Sequence, residues 1–311
     1  MTFAERTAAV EAFGFTPRQA AFLTTVALHG GYCLLRQYAA FIGRKHGESV
    51  CDFMDRLVDR GLADRLTFRA NRGNIYHLFG KRLYGAIDQE NNRNRLHASP
   101  PLMARKLMLL DFVIEHAGFE WYATDGDKRD LFLTQCRMPE TALPQRTQAR
   151  RRSSSHAPDT SRHWIQKLPI FRAATPPSIN FVCLVTDPHA SAVGSFVREH
   201  APLLRKLESW ALHVISPRAA SSETAAGAAY QRALAAARLT PVDTETWEWF
   251  QQTRERVLRG DLREVGLDDL NRYRELSAQI GDGSDRPCVG PLLFHVLPHS
   301  YTQFGSLAGV A

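Results

Sequence analysis

The chain has 311 residues, with 39 lysines and arginines against 32 aspartates and glutamates, for a formal charge of +7. Its 44% hydrophobic and 23% charged content is ordinary for a globular protein with room for two domains, and excludes a disordered or collagen-like class. A pI near 9.3 favours a polyanionic partner, and no apolar stretch reaches the roughly eighteen residues of a membrane span.

No charged, apolar, small-residue leader opens the sequence, so the expected compartment is the cytoplasm. Five cysteines (Cys33, Cys51, Cys136, Cys183 and Cys288) are scattered without a Cys-x-x-Cys pair, as expected of reduced thiols.

Ala4 to Phe13 reads as a lead-in helix. A second helix opens at Thr16-Pro17, with the threonine as N-cap and the proline where its missing N–H does no harm. Phe22, Leu23, Val26 and Ala27 form its apolar side, and Gly30-Gly31 stops it. Leu34 to Ile42 is a short helix ended by Gly43. Another runs from Ser49 to Arg60, with Ser49 as N-cap and Asp52 at the capping-box position. Leu66 and Phe68 then alternate with Arg65, Thr67 and Arg69. After a tip at Ala70-Asn71-Arg72-Gly73-Asn74 the run Ile75 to Phe79 returns, which is a hairpin signal. Three helices followed by a hairpin is the order of a winged helix-turn-helix, expected over residues 1–98.

In a reader of this order the helix from Ser49 enters the major groove. At 100° per residue Val50, Phe53, Met54, Leu57 and Val58 face the core, while Glu48, Asp52, Asp55 and Asp59 line the opposite face. Carboxylates repel phosphate, so the N-terminal end, preceded by Arg44, Lys45 and His46, is the better contact. One flank of the acidic face carries Ser49, Arg56 and Arg60, and Arg69 and Arg72 on the hairpin suit a neighbouring phosphate or the minor groove. The alternative is a solvated exterior with Asp52–Arg56 as an i,i+4 pair.

Lys81 to Arg95 looks helical, and Ser99-Pro100-Pro101 restarts the chain. Leu102 to His116 is apolar on several sides, so residues 99–118 are expected to be a connecting helix, buried in one chain or between two copies of a homodimer. From Phe119 an α/β domain is expected to residue 311. Its elements are strands at Phe119–Ala123 and Leu131–Thr134, a turn at Asp125-Gly126, and a polar basic loop over 144–160. A strand follows over His163–Phe171, then a buried strand at Ile179–Val185, a helix at Ser191–Trp210 kinked near Pro202, and a strand at Ala211–Ile215. The strand–helix–strand spacing is that of a βαβ unit. Helices are expected over Ser222–Leu239, Asp243–Arg259 and Leu267–Ile280, with an edge strand at Val289–Leu297. The overall class is α+β.

The Thr16-Pro17-Arg18-Gln19 opening, the Leu57-Val58-Asp59-Arg60-Gly61-Leu62 run and the αβ second half resemble the replication-relaxation proteins of plasmids and integrative elements. His163 to Phe171, with the Ile179 strand and the Ser191 helix, is similar to the core of restriction-endonuclease-like folds. These resemblances imply a DNA-handling protein of a mobile element: a transcriptional regulator or a replication and maintenance factor binding double-stranded DNA. A nuclease of that fold would use an Asp, an Asp/Glu and a Lys around Mg²⁺, for which Asp130 and Lys167 are the candidates. The position two before the lysine is Ile165, which cannot bind a hard cation, so an inactive core is expected, with no cofactor and no metal. The acidic helix face offers a third reading, a dock for a basic protein partner in a DNA-processing assembly.

Weaker constellations are Asp187-Pro188-His189, Glu199-His200, His295 with His299, Ser195 after Gly194, and the aromatic run Trp247, Trp249 and Phe250. The aromatic run is expected to be core, and the alanine-rich stretch Ala225–Ala237 to be a closely packed helix.

Overall fold

The structure is a computed structural model, and it describes residues 1–45, 47–67, 73–146, 162–163, 167–217, 221–239, 242–261, 265–280, 289–299 and 301. The chain is α+β and divides into two compact units. The first is Met1–Phe119 with Ile215–Arg218 and Val296–Ala311, and the second is Glu120–Val214 with Ala219–His295.

In the first unit, α1 (Phe3–Glu11) and α2 (Pro17–His29) are each opened by a reciprocal threonine cap. Thr16 Oγ1 accepts the N–H of Gln19 at 3.4 Å, and Gln19 Oε1 accepts the N–H of Thr16 at 3.1 Å. Beyond α2 the chain turns into β1 (Tyr32–Leu34), a strand too short to show alternation in the sequence. α3 (Leu35–Phe41) and α4 (Glu48–Asp59) follow. α4 starts one residue earlier than expected. Extended Gly47, not Ser49, is its N-cap, and the Gly47 carbonyl accepts the N–H groups of Val50 and Cys51. Val50, Phe53, Met54 and Leu57 are buried as the helical period requires, and Val58 is half-buried.

β2 (Ala63–Thr67) and β3 (Asn74–Leu78) form the expected hairpin. The three strands make an antiparallel sheet in the order β1-β3-β2, so β3 is central, with Tyr32 and Asp64 as the partners of His77 on either side. α5 (Lys81–Ala86) is shorter than the sequence suggested. Asp88 takes a left-handed φ of 58°, the Gln89 N–H returns to the Tyr84 carbonyl, and the chain re-forms only a 3-10 turn at Arg93–Arg95. α6 (Pro100–Glu115) then packs against α2, α3 and β1, burying Met103, Leu107, Leu110 and Phe112 among others.

In the second unit β4 (Glu120–Tyr122) is followed by α7 (Asp125–Arg129), which continues as a π-helical turn over Asp130–Gln135. This corrects the expected strand at Leu131–Thr134. Thr124 Oγ1 accepts the Asp127 N–H and Asp127 Oδ2 accepts the Thr124 N–H, both at 3.0 Å, so Asp125-Gly126 is the first turn of a capped helix. β5 (Gln145–Arg146) and β6 (Arg162–His163) pair across most of the basic segment, which lies outside the described residues. β7 (Ile170–Arg172), β8 (Ile179–Leu184), α8 (Ser191–Arg205, with Pro202 inside) and β9 (Trp210–Ser216) come next. Then follow α9 (Ser221–Ala236), α10 (Thr244–Arg259), α11 (Leu267–Ile280) and β10 (Leu292–Val296). The sheet order is β10-β9-β8-β7-β4, antiparallel at β4/β7 and β7/β8.

Every residue of β8 and β9 is buried, as an apolar strand covered on both faces must be. α8 joins these two neighbouring strands, α9 packs on α8, and Ala226, Ala229 and Ala233 of α9 are buried in the same cluster as Val193 and Val197 of α8. Phe250 is buried with Trp247, Trp249, Tyr273 and Leu276 packed around it, which makes the aromatic run core between α10 and α11.

Candidate nucleic-acid interface

The positive groups around α4 come from two elements. Arg44 and Lys45 stand in the turn after α3, which Gly43 opens, and Ser49 and Arg56 stand on α4 itself. All four are exposed. His46, Arg69 and Arg72 lie outside the described residues.

Tyr38 links the two elements. Burial raises its phenol pKa above the ordinary value, while a hydrogen bond with Gln19 and the positive charges of Arg56 and Arg44 act the other way. Two guanidiniums from separate elements therefore act on one hydroxyl, and neither makes an ion pair among the described residues.

The carboxylates divide differently. The Asp52–Arg56 pair of the alternative reading does not form. Asp55 instead takes Arg65 of β2, with Arg65 Nη1 donating to Asp55 Oδ1 at 2.9 Å, so one of the four acids is neutralised by the hairpin. Glu48, Asp52 and Asp59 remain exposed. Arg60, at the end of α4, donates to the Phe13 carbonyl at 2.7 Å and covers the Phe15 ring at 4.7 Å, which fixes the helix end to the first turn of the chain. That anchoring role was not legible in the sequence, because Phe13 and Phe15 are distant from Arg60 along the chain.

The nuclease candidates sit elsewhere. Asp130 is exposed at the C-cap of α7 and accepts from Gln135 Nε2 at 3.1 Å, and Lys167 is exposed ahead of β7. Neither occupies a strand, which the metal arrangement of that fold requires. The remaining constellations are structural. Asp187 accepts the N–H groups of His189 and Ser191 at 3.0 and 3.2 Å and starts α8; despite partial desolvation, these bonds hold its carboxyl below the usual range. His200 is buried against Phe196, with Nδ1 2.9 Å from the Phe196 carbonyl. His295 does not pair with His299. It lies 2.9 Å from His213 Nδ1, whose Nε2 meets Asn180 Oδ1 at 3.0 Å, so a polar chain crosses β10, β9 and β8.

Among the described residues, one group of three offers metal-ligand atoms in mutual reach: Asp64, His77 and His97 of the first unit. The four free cysteines described, Cys33, Cys51, Cys136 and Cys183, are not part of it. No helix among the described residues is long and apolar enough to cross a membrane. No protein-family model, curated protein or solved structure matches the chain.

Proposed function

We propose that the chain is a non-enzymatic DNA-binding protein whose first unit is a winged helix-turn-helix gripping duplex phosphate at the N-terminal end of α4. The observation that supports this most directly is a group of exposed cations, Arg44 and Lys45 in the turn before α4 and Arg56 on its last turn, with neither arginine in an ion pair among the described residues. The exposed Ser49 hydroxyl follows Arg44 and Lys45 at the start of α4, where the helix dipole also favours an anion. Arg65 removes one carboxylate from the same helix, which lessens the repulsion of phosphate. The hairpin β2–β3 is the wing, and Arg69 and Arg72 belong to its contact.

The biological role in this reading is regulation or replication and maintenance of a mobile element in the cytoplasm, as the resemblance to the replication-relaxation proteins implies. The second unit is a platform of restriction-endonuclease-like descent that performs no cleavage. A homodimer would use a surface other than the buried side of α6, since that side packs on α2, α3 and β1.

The test is fluorescence anisotropy of the full chain on a labelled duplex over a range of salt concentrations. Binding should weaken steeply with salt because counterions are released. The triple variant Arg44→Ala/Lys45→Ala/Arg56→Ala should lose it. Wild-type affinity in that variant would remove these residues from the mechanism, and light scattering of the same samples reads the stoichiometry.

A further inference from the structure

We propose that Asp64, His77 and His97 form a binding site for a borderline divalent transition metal, of which Zn²⁺ is the natural occupant. The site clips the base of the β2–β3 hairpin to the segment that leads into α6. It stands independently of the DNA-binding reading.

The argument begins with the strand register. Antiparallel pairing sets Asp64 of β2 opposite His77 of β3, so both side chains project on the same face of the sheet. His97 comes to them from the segment after the 3-10 turn. Its ring centroid is 4.9 Å from that of His77, and its Nε2 is 3.7 Å from Asp64 Oδ2. One ligand atom from each of the three residues lies within 4.8 Å of the others. A tetrahedral shell with bonds of 2.0–2.1 Å separates its ligands by about 3.3 Å. His97 and Asp64 have 67% and 45% of their side chains exposed and are free to close the difference.

The second observation is the state of His77. The residue is fully buried, and its Nδ1 has no hydrogen-bond partner. Its Nε2 stands 3.0 Å from the Asn94 carbonyl oxygen. A carbonyl only accepts, so Nε2 carries the proton and Nδ1 presents a lone pair. An imidazole whose far nitrogen donates to a backbone carbonyl, leaving a desolvated lone pair free, has the arrangement that surrounds metal-bound histidines. Without a metal, that buried lone pair is an unmade bond.

The surroundings hold the ring in place. Tyr32 stacks on it with centroids 4.2 Å apart and planes 9° from parallel, and the Tyr32 hydroxyl accepts the N–H of Ala98 at 2.8 Å, which fixes the residue after His97. Asn94 is itself fixed, with Nδ2 donating to the Ala27 and Leu28 carbonyls at 3.0 and 3.3 Å. Lys106, the nearby cation, is engaged by Asn94 Oδ1 at 3.2 Å and by the Tyr32 ring at 5.2 Å.

The donor set selects the metal. Two imidazoles with one carboxylate suit Zn²⁺ and its first-row neighbours, not Mg²⁺ or Ca²⁺, and three protein ligands leave the fourth position to water.

The experiment uses the tag-free full chain, treated with chelator, dialysed and titrated with Co²⁺ while the visible d–d bands are followed. One saturable site is expected, with Zn²⁺ displacing the colour and Mg²⁺ leaving it. Zn²⁺ should also raise the Tm of the wild type. His97→Ala and Asp64→Asn change exposed and half-buried side chains and should keep the far-ultraviolet circular dichroism of the wild type. Each should weaken Co²⁺ binding by at least about tenfold and abolish the Tm shift. Absence of a saturable band in the wild type, or wild-type affinity in His97→Ala, overturns the proposal.

Discussion

Arg36 and Asp111 form a fork-to-fork ion pair: Nη1 donates to Oδ1 at 2.6 Å and Nη2 to Oδ2 at 2.7 Å, joining α3 to α6. Asp111 is 5% exposed and receives further bonds from Gln37 Nε2 at 2.9 Å and from the Tyr301 hydroxyl. Four donor atoms from three side chains thus share one carboxylate in the core of the first unit. Asp111→Ala leaves the guanidinium, the amide and the phenol short of their acceptor. Since Arg36 keeps a third of its side chain in water, the expected loss is about 2–3 kcal/mol. Removing the orphaned cation as well, in Arg36→Met/Asp111→Ala, should recover part of it. Urea unfolding of the two variants decides the matter, and a single variant as stable as the wild type would show that the network contributes nothing.

Gly31 allows a close approach that any side chain would block. Its φ is +75°, and a Cβ built on it would lie 2.4 Å from the Asn94 carbonyl oxygen, the same oxygen that His77 bonds. Gly31→Ala therefore combines left-handed strain with a backbone clash, and should destabilise the protein by about 2–4 kcal/mol. Gly43→Ala, at φ +65° with open space around it, carries the strain alone and should lose only about 1 kcal/mol. Thermal unfolding of the pair separates the two effects: equal shifts in Tm would show that the Asn94 approach is not tight.

The buried imidazole of His77 ties stability to acid. Its pKa is held down to about 4 by burial, helped by the charges of His97 and Lys106 and opposed by Asp64 and the Asn94 carbonyl. The unfolded chain takes up this proton near pH 6.5 while the folded one does not. Stability is thus full above about pH 6.5 and falls as pH drops towards 4, by up to about 3 kcal/mol from this group. In metal-free buffer the His77 ring resonance should stay in its neutral position down to about pH 5. A midpoint near 6.5 for that resonance would refute the assignment.

Where local chemistry decided the structure, the sequence was readable. Thr16 with Pro17 marked the start of α2, the period of Val50, Phe53, Met54 and Leu57 marked the inner face of α4, and the largely apolar run from Ile179 marked a buried strand. Competition between two local signals was harder to read. Asp125-Gly126 has the composition of a hairpin turn, but Thr124 and Asp127 cap a helix there, so Leu131 and Phe132 reach the core from a helical turn. Of the candidate site, the exposure of Arg44, Lys45, Ser49 and Arg56 followed from position. The pairing of Asp55 with Arg65, the anchoring of Arg60 and the meeting of His97 with Asp64 and His77 did not. Each joins residues whose proximity depends on how the hairpin and the segment after it fold back.

How α4 meets DNA can be read from its acids one at a time. If its N-terminal end faces the phosphates, Glu48 and Asp52 oppose binding, while Asp59 stands about 15 Å further along the axis from Ser49. That exceeds the Debye length of about 10 Å at 0.1 M salt, so Asp59 is screened. A unit charge about 7 Å from a phosphate in water is worth about 0.6 kcal/mol, or about threefold in affinity. Asp52→Asn should therefore tighten binding about threefold on any duplex, and Glu48→Gln should do the same, whereas Asp59→Asn should change nothing. Losing Arg44 and Lys45 should lower the steepness of the salt dependence by about 2 in log–log slope, one counterion for each contact. Equal effects from Asp52 and Asp59 would mean that the helix lies along the groove, and no effect from any of the three acids would turn α4 away from DNA altogether.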